Sequence, residues 1–122
     1  MAGPSFRALI VEDSPMIALD LEAGLVGWGA SEVRIAGSPN AAAGELETFR
    51  PDIAILDLGL GGPGQIELAL GLVALGVKVI FTAAGIGRPV LPGALGACPV
   101  VAKPYGPQHM ELAVRRALGL TN

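Results

Sequence analysis

Short apolar runs alternate along the chain with segments in which apolar residues recur at helical spacing. The runs are rich in valine, isoleucine, leucine and alanine, and they lie at residues 7–11, 32–36, 53–57, 77–81 and 100–102. Such continuous runs are typical of strands that are buried on both faces. Between the first two runs, apolar residues recur every three or four positions from Ile17 to Trp28, which predicts a helix. Strict alternation of strand and helix predicts an α/β fold with a parallel sheet and right-handed crossovers.

Serine–proline pairs indicate where two of the helices begin. Ser14-Pro15 and Ser38-Pro39 each place a capping hydroxyl directly before a proline at the first helical position. We expect the second of these helices to run through Phe49, because Pro51 disfavours helical backbone at the residue before it.

Two further helices are predicted, at about residues 65–75 and at residues 107–118. The segment 83–99 differs from both, because glycine and proline interrupt it at seven positions: 85, 87, 89, 92, 93, 96 and 99. We interpret it as a mobile loop. Any helix between the fourth and fifth strands should therefore be short or replaced by a loop.

Polar residues stand where the predicted strands end. Glu12 and Asp13 follow the first run and Asp57 closes the third. Thr82 follows the fourth run and Lys103 follows the fifth. Groups at the carboxyl ends of parallel strands converge on one crevice in an open α/β sheet. The pattern predicts a metal-assisted phosphoryl site.

These residues resemble the receiver domain of two-component response regulators over nearly the whole chain. Glu12-Asp13 is similar to the family's acidic pair, Asp57 to its phosphorylated aspartate, Thr82 to its switch threonine, and Lys103 with the following proline to its lysine–proline pair. The resemblance implies a flavodoxin-like (βα)5 fold, doubly wound, with strand order 2-1-3-4-5. The segments 11–22 and 81–85 further resemble an alphaproteobacterial subgroup whose signature after strand four is Phe-Ala-Thr-Gly, which this chain matches in part.

A metal ion is implied by the same resemblance. A carboxylate that attacks phosphorus must overcome anion repulsion, and a hard divalent cation such as Mg²⁺ or Mn²⁺ offsets it. Asp13 and Asp57 are suited to direct ligation, Glu12 to holding a metal-bound water, and Gly59 to supplying a backbone carbonyl.

The phosphoryl oxygens need donors as well. Lys103 should pair with Asp57 and with one phosphoryl oxygen, while the Thr82 hydroxyl and the Ala83 backbone N–H donate to the others. The implied function is that of a phosphoacceptor, which receives a phosphoryl group from a histidine kinase or histidine phosphotransferase and then binds an unknown downstream protein. Self-catalysed phosphorylation and dephosphorylation are implied, without turnover in the usual enzymatic sense.

The chain departs from the family in two respects. One bears on how the signal leaves the site, and the other on how long the phosphoryl group lasts. Receivers usually carry an aromatic residue three positions before the lysine, where this chain has Val100. The segment 83–99 is therefore the predicted output element. Gly59 and Ala84 offer little side-chain cover against water, so we expect a short-lived phosphoryl group.

Length, charge and composition limit which other kinds of protein the chain could be and where it is expected to act. The 122 residues are predicted to form one domain, residues 1–122, without a separate output domain. A net charge of −3 does not favour nucleic-acid binding. No apolar stretch reaches the roughly 18 residues of a membrane span. The single cysteine, Cys98, excludes an intramolecular disulfide, and the N-terminus lacks a signal-peptide pattern, so a cytoplasmic location is expected.

Three alternatives compete with the receiver interpretation. Residues 59–64 satisfy G-x-G-x-x-G after a strand, but the acid that dinucleotide binding requires about 20 residues later is missing. A haloacid-type phosphatase needs an acid two residues after the aspartate, where this chain has Gly59. A degenerate receiver that binds proteins without being phosphorylated is the third. His109 is interpreted as a solvated residue, because Asp57 already supplies the acceptor.

Overall fold

The computed structural model describes residues 5–59, 62–84 and 89–120. Its strands are β1 (Phe6–Val11), β2 (Ala30–Ala36), β3 (Ile53–Asp57), β4 (Lys78–Ala83) and β5 (Val100–Ala102). Its α-helices are α1 (Pro15–Gly27), α2 (Pro39–Glu45), α3 (Gly62–Ala74) and α4 (Pro107–Ala117), and a 3₁₀ helix covers Gly93–Ala97.

The strands form one parallel sheet in the order β2-β1-β3-β4-β5, which confirms the predicted flavodoxin-like, doubly wound topology. β3 lies at the centre and all five of its residues are buried. That burial on both faces explains why the segment is a continuous apolar run. The strand order reverses between β1 and β3, and the crevice of such a sheet lies at the carboxyl ends of these strands.

Two apolar clusters fill the two faces of the sheet. Successive residues of a strand point to opposite faces. Leu9 and Val11 accordingly belong to the cluster under α2, α3 and the 3₁₀ helix, while Ala8 and Ile10 belong to the cluster under α1 and α4. Both faces of β1 and β3 are thus fixed by packing, and their carboxyl ends are held in place.

The predicted helix starts at the two serine–proline pairs are confirmed. Ser14 Oγ accepts a hydrogen bond from the backbone N of Ile17 at 3.4 Å, and Ser38 Oγ accepts one from Ala41 N at 3.1 Å. α3 begins at Gly62, earlier than predicted, and ends at Ala74. Gly76 follows with φ at 85°, the left-handed conformation that glycine tolerates best.

The predicted extension of α2 to Phe49 is wrong. The helix ends at Glu45. Hydrogen bonds of 3.2 Å from Glu47 N to Gly44 O and from Thr48 N to Glu45 O continue the chain as tight turns. These turns carry Phe49 into the core, where its ring centroid also lies 4.6 Å from the Arg34 guanidinium carbon. Burial of an aromatic ring stabilises this path more than one further turn of helix would.

The segment 83–99 is partly ordered by packing. Its residues 85–88 lie outside the described residues. Between β4 and β5, the described residues form no helix other than the five-residue 3₁₀ helix. This confirms the prediction that any helix here is short or replaced by a loop. Leu95 at its centre is fully buried and Cys98 is buried as well. The second half of the segment is therefore packed more firmly than its glycine and proline content predicts.

None of the helices in the described part of the chain combines the length and the apolar character needed to cross a bilayer.

Candidate functional site

Four strands deliver polar residues to one end of the sheet. Glu12 and Asp13 directly follow β1, Asp57 is the last residue of β3, and Lys103 directly follows β5. Thr82 lies inside β4 rather than after it, and it is the register partner of Asp57. The parallel register therefore places at one edge all the side chains that the sequence predicted to converge.

The three acids form a compact cluster. Glu12, Asp13 and Asp57 each present a carboxylate oxygen, and these oxygens lie within 4.8 Å of one another. Glu12 and Asp57 are buried, whereas Asp13 is exposed. Carboxylates this close repel one another unless a cation lies between or beside them.

Lys103 supplies one such cation. Its Nζ lies 3.0 Å from Glu12 Oε2 and 3.2 Å from Asp57 Oδ2. Burial lowers the pKa of the Lys103 ammonium, but the hydrogen bonds to Glu12 and Asp57 outweigh that effect and raise the pKa above its usual 10.5. The lysine is therefore charged at neutral pH and bridges two of the three acids.

Backbone N–H groups complete the surroundings of the buried carboxylates. Gly59 N donates to Asp57 Oδ1 at 3.0 Å, and Ser14 N donates to Glu12 Oε1 at 3.1 Å. A Cβ atom at Gly59 would lie 3.3 Å from Asp57 Oδ1, a tight contact. Glycine at this position therefore lets the chain approach the carboxylate closely.

Thr82 and Ala83 are tied into the surrounding backbone. Thr82 is buried, and its carbonyl accepts a hydrogen bond from Leu58 N at 2.8 Å. The Ala83 carbonyl accepts one from Lys103 N, also at 2.8 Å. β4 is thus linked on one side to the residue after Asp57 and on the other to Lys103.

Gln65 belongs to this site and was missed at the level of sequence. It lies near the start of α3, is 1% exposed, and donates from Nε2 to the backbone carbonyl of Asp57 at 2.9 Å. A glutamine in the first turns of a predicted helix carries no chemical signal by itself. Only the fold reveals that its partner is the backbone of the acid eight residues earlier.

A pocket of about 400 Å³ opens beside Lys103. It is lined mainly by apolar atoms of Ile17, Asp20, Ala84, Lys103, Pro104 and Tyr105. Burial raises the pKa of the Tyr105 phenol above its usual 10.0, although the nearby Lys103 charge lowers it. Tyr105 is therefore uncharged at neutral pH.

Two other sequence features remain outside the cluster. His109 is exposed near the start of α4. The glycine motif at 59–64 includes residues 60 and 61, which lie outside the described residues.

The chain resembles known proteins both in sequence and in fold. No protein-family model matches the chain. The Phyllosphere-induced regulator PhyR of Methylorubrum extorquens is 31% identical over 113 residues, which are 90% of this chain and 42% of that protein. The chain thus spans less than half the length of this curated relative.

Two solved structures match along nearly their whole length. SdrG from Pseudomonas melonis Fr1, solved in a BeF3-activated conformation, is 30% identical with a TM-score of 0.74, and the match covers 94% of this chain and 96% of that one. The REC domain of the PhyR response regulator from Erythrobacter litoralis is 24% identical with a TM-score of 0.78, over 97% of this chain and 93% of that one. The second match shows a shared fold, and the first extends the likeness to sequence.

Proposed function

The chain belongs to the receiver domain family of response regulators, and we propose that it accepts a phosphoryl group on Asp57. The observation that carries the proposal is the surroundings of this residue. Asp57 is a buried carboxylate 3.2 Å from the Lys103 ammonium and within 4.8 Å of the carboxylates of Glu12 and Asp13. Carboxylates form aspartyl phosphates when their negative charge is offset at the moment of attack.

The oxygen donors at the site fit a hard divalent cation, Mg²⁺ or Mn²⁺. Asp13 and Asp57 would ligate it directly, Glu12 would hold a metal-bound water, and Gly59 would contribute its carbonyl. When bound, such a cation reduces the repulsion between the donor phosphate and the carboxylate.

Transfer forms one bond, between an Asp57 carboxylate oxygen and phosphorus, and breaks the bond from phosphorus to the donor nitrogen, whose electron pair stays on the imidazole. Lys103 neutralises Asp57 before transfer and pairs with a phosphoryl oxygen afterwards. The Thr82 hydroxyl and the Ala83 N–H donate to the remaining oxygens. Water later cleaves the acyl phosphate, so the protein acts as a switch.

The proposed donor is a histidine kinase or a histidine phosphotransferase. Its imidazole must reach Asp57, so its surface must cover the start of α1, which follows Asp13 closely. Met16, Leu19 and Val26 on that helix are 84%, 59% and 56% exposed. This apolar stripe suits contact with an amphipathic helix of the donor protein.

The BeF3-activated structure of SdrG supports a phosphoryl-dependent function for this chain. Other statements remain predictions from the sequence. They are that the chain signals by binding a downstream protein, that it is cytoplasmic, that it binds neither nucleic acid nor membrane, and that residues 1–122 act as a domain without an output domain.

The test is incubation with acetyl phosphate in Mg²⁺ or in EDTA, followed by intact mass. We expect a phosphoryl adduct in Mg²⁺ only, and none in Asp57→Asn. Asp52→Asn is the matched control, because Asp52 is an exposed acid at the other end of β3 and an asparagine there can still accept its hydrogen bond from Arg7 N. An undiminished adduct in Asp57→Asn, or in EDTA, would overturn the proposal. A wild-type protein that stays unlabelled would favour the degenerate receiver.

A further inference from the structure

A buried glutamine amide is aimed at the main chain of the phosphoacceptor. Gln65 is 1% exposed, and its Nε2 lies 2.9 Å from the carbonyl oxygen of Asp57. The orientation of the amide is fixed by its partner, because a carbonyl can only accept a hydrogen bond. This contact is made to the backbone of Asp57 rather than to its carboxylate.

The peptide unit that joins Asp57 to Leu58 is consequently held from both sides. Its carbonyl accepts from Gln65 Nε2 at 2.9 Å, and its N–H donates to Thr82 O at 2.8 Å. Gly59, two residues after Asp57, donates its own N–H to Asp57 Oδ1 at 3.0 Å. This single peptide plane is therefore linked through hydrogen bonds to α3, to β4 and, through Gly59, to the Asp57 carboxylate.

Packing alone does not explain an amide at this position. Gln65 Oε1 is buried, and none of the described residues donates to it. A buried acceptor without a partner destabilises the folded state, so a leucine of similar volume would fill the same space without that penalty. The half-satisfied amide suggests a role that requires its N–H group.

We propose that Gln65 is a positioning residue for phosphoryl transfer, which fixes the Asp57–Leu58 peptide plane and thereby the Asp57 carboxylate and the Gly59 backbone. The inference rests on the proposed phosphoacceptor function. Without the Gln65 bond, the contact that the described residues outside the strand ladder still make to this plane is the one from Leu58 N to Thr82 O, and the plane can tilt about it. Small displacements of an attacking group slow a reaction strongly, about 100-fold for 1 Å.

The experiment measures the initial rate of labelling by acetyl phosphate in Mg²⁺ and the urea midpoint in EDTA. Gln65→Leu should label roughly 10- to 100-fold more slowly. Its urea midpoint should stay close to the wild-type value, because the lost hydrogen bond and the removed unpaired oxygen offset each other. Gln108→Leu is the matched control, since Gln108 is exposed on α4, and it should change neither quantity.

Gln65→Glu supplies a readout that a purely structural role would not move. An ionised carboxylate cannot donate to the Asp57 carbonyl, whereas a protonated one can. The labelling rate of this variant, divided by the wild-type rate at the same pH, should therefore rise as the pH is lowered. The same ratio for Gln65→Leu should not depend on pH.

The outcomes separate the two proposals. Failure of the wild-type protein to label would overturn the phosphoacceptor function and the role of Gln65 with it. Wild-type labelling together with an unchanged rate in Gln65→Leu would overturn only the role of Gln65. A Gln65→Leu variant that labels slowly because its urea midpoint has fallen, or that does not fold, combined with a pH-independent ratio for Gln65→Glu, would show a structural residue and also overturn it.

Discussion

Removal of the Lys103 charge should destabilise the protein in a way that a divalent cation partly reverses. The ammonium lies 3.0 Å from Glu12 Oε2 and 3.2 Å from Asp57 Oδ2. At an effective dielectric of about 20, each contact corresponds to a gross attraction of about 5 kcal/mol. Desolvation of the three charged groups offsets most of that sum.

The burial of these three side chains indicates how large the net loss in the free energy of unfolding should be. In Lys103→Met, the Glu12 and Asp57 side chains, which are 5% and 9% exposed, would lose their shared counter-charge. Breaking a buried pair costs about 3–5 kcal/mol. Water reaches the Lys103 side chain, which is 19% exposed, so we expect a smaller loss of about 2–3 kcal/mol in the free energy of unfolding. In EDTA the urea midpoint should fall by about 1 M or more.

Mg²⁺ should reduce the difference in the free energy of unfolding between Lys103→Met and the wild type. The lysine and the metal compete for the same carboxylates, so Lys103→Met should bind Mg²⁺ about tenfold more tightly than the wild type, which corresponds to about 1.4 kcal/mol at saturating metal. Lys78→Met is the matched control, because Lys78 is exposed at the opposite end of the sheet, and its effect should be small in both conditions. Equal stability of Lys103→Met and wild type in EDTA, or the same difference in EDTA and in Mg²⁺, would refute the reasoning.

Three further predictions concern the donor surface, the phosphoryl lifetime and Tyr105. Leu19→Glu on the exposed stripe of α1 should slow transfer from a phosphohistidine protein about tenfold without changing labelling by acetyl phosphate. Leu112→Glu on α4 is its control, and equal slowing by both would contradict the assigned surface. Ala84→Leu should lengthen the phosphoryl half-life about tenfold by excluding water, and mass spectra showing unchanged or faster decay would count against this. Tyr105 is the single tyrosine, so tyrosinate absorbance should titrate with a midpoint above 10.0. Because the folded pKa is raised, the associated stability is complete below pH 10 and is lost as the pH rises through that midpoint, and a midpoint at or below 10.0 would contradict the burial argument.

The sheet and the geometry of the site were predictable because they depend on local patterns and on topology. β3 and β5 lie at the predicted residues, since a strand buried on both faces must be apolar throughout and a polar residue ends the run. Once the strands are parallel, residues that follow them meet at one edge. The approach of Lys103 to Asp57, 46 positions apart in sequence, follows from that rule. The chemical roles of these residues stay predictions until the phosphoryl adduct is measured.

The failures have a common physical cause, which is that the deciding partner is distant in sequence. The spacing of Leu46 and Phe49 continues a helical pattern, yet Phe49 is drawn into the core and lies against Arg34 of β2. Leu95 stands among glycines and prolines, yet the sheet face beneath the 3₁₀ helix buries it completely. Local propensity is a weak prior in both places, because tertiary packing outweighs it.

The packing of Leu95 also changes where a signal can leave the site. The sequence predicted that the signal leaves through a loosely packed segment at 83–99, because Val100 stands where receivers usually carry an aromatic residue. Val100 packs against the same apolar cluster as Phe81 and Leu95. Phe81 N donates to Pro99 O at 2.9 Å and Lys103 N donates to Ala83 O at 2.8 Å, so the backbone on both sides of Thr82 is bonded to the backbone around β5. A movement of Thr82 toward a phosphoryl group would therefore pull on β5 and on the packed 3₁₀ helix together. Packed units in general move between discrete arrangements rather than along a continuum of loop conformations, which is the property that a two-state switch requires.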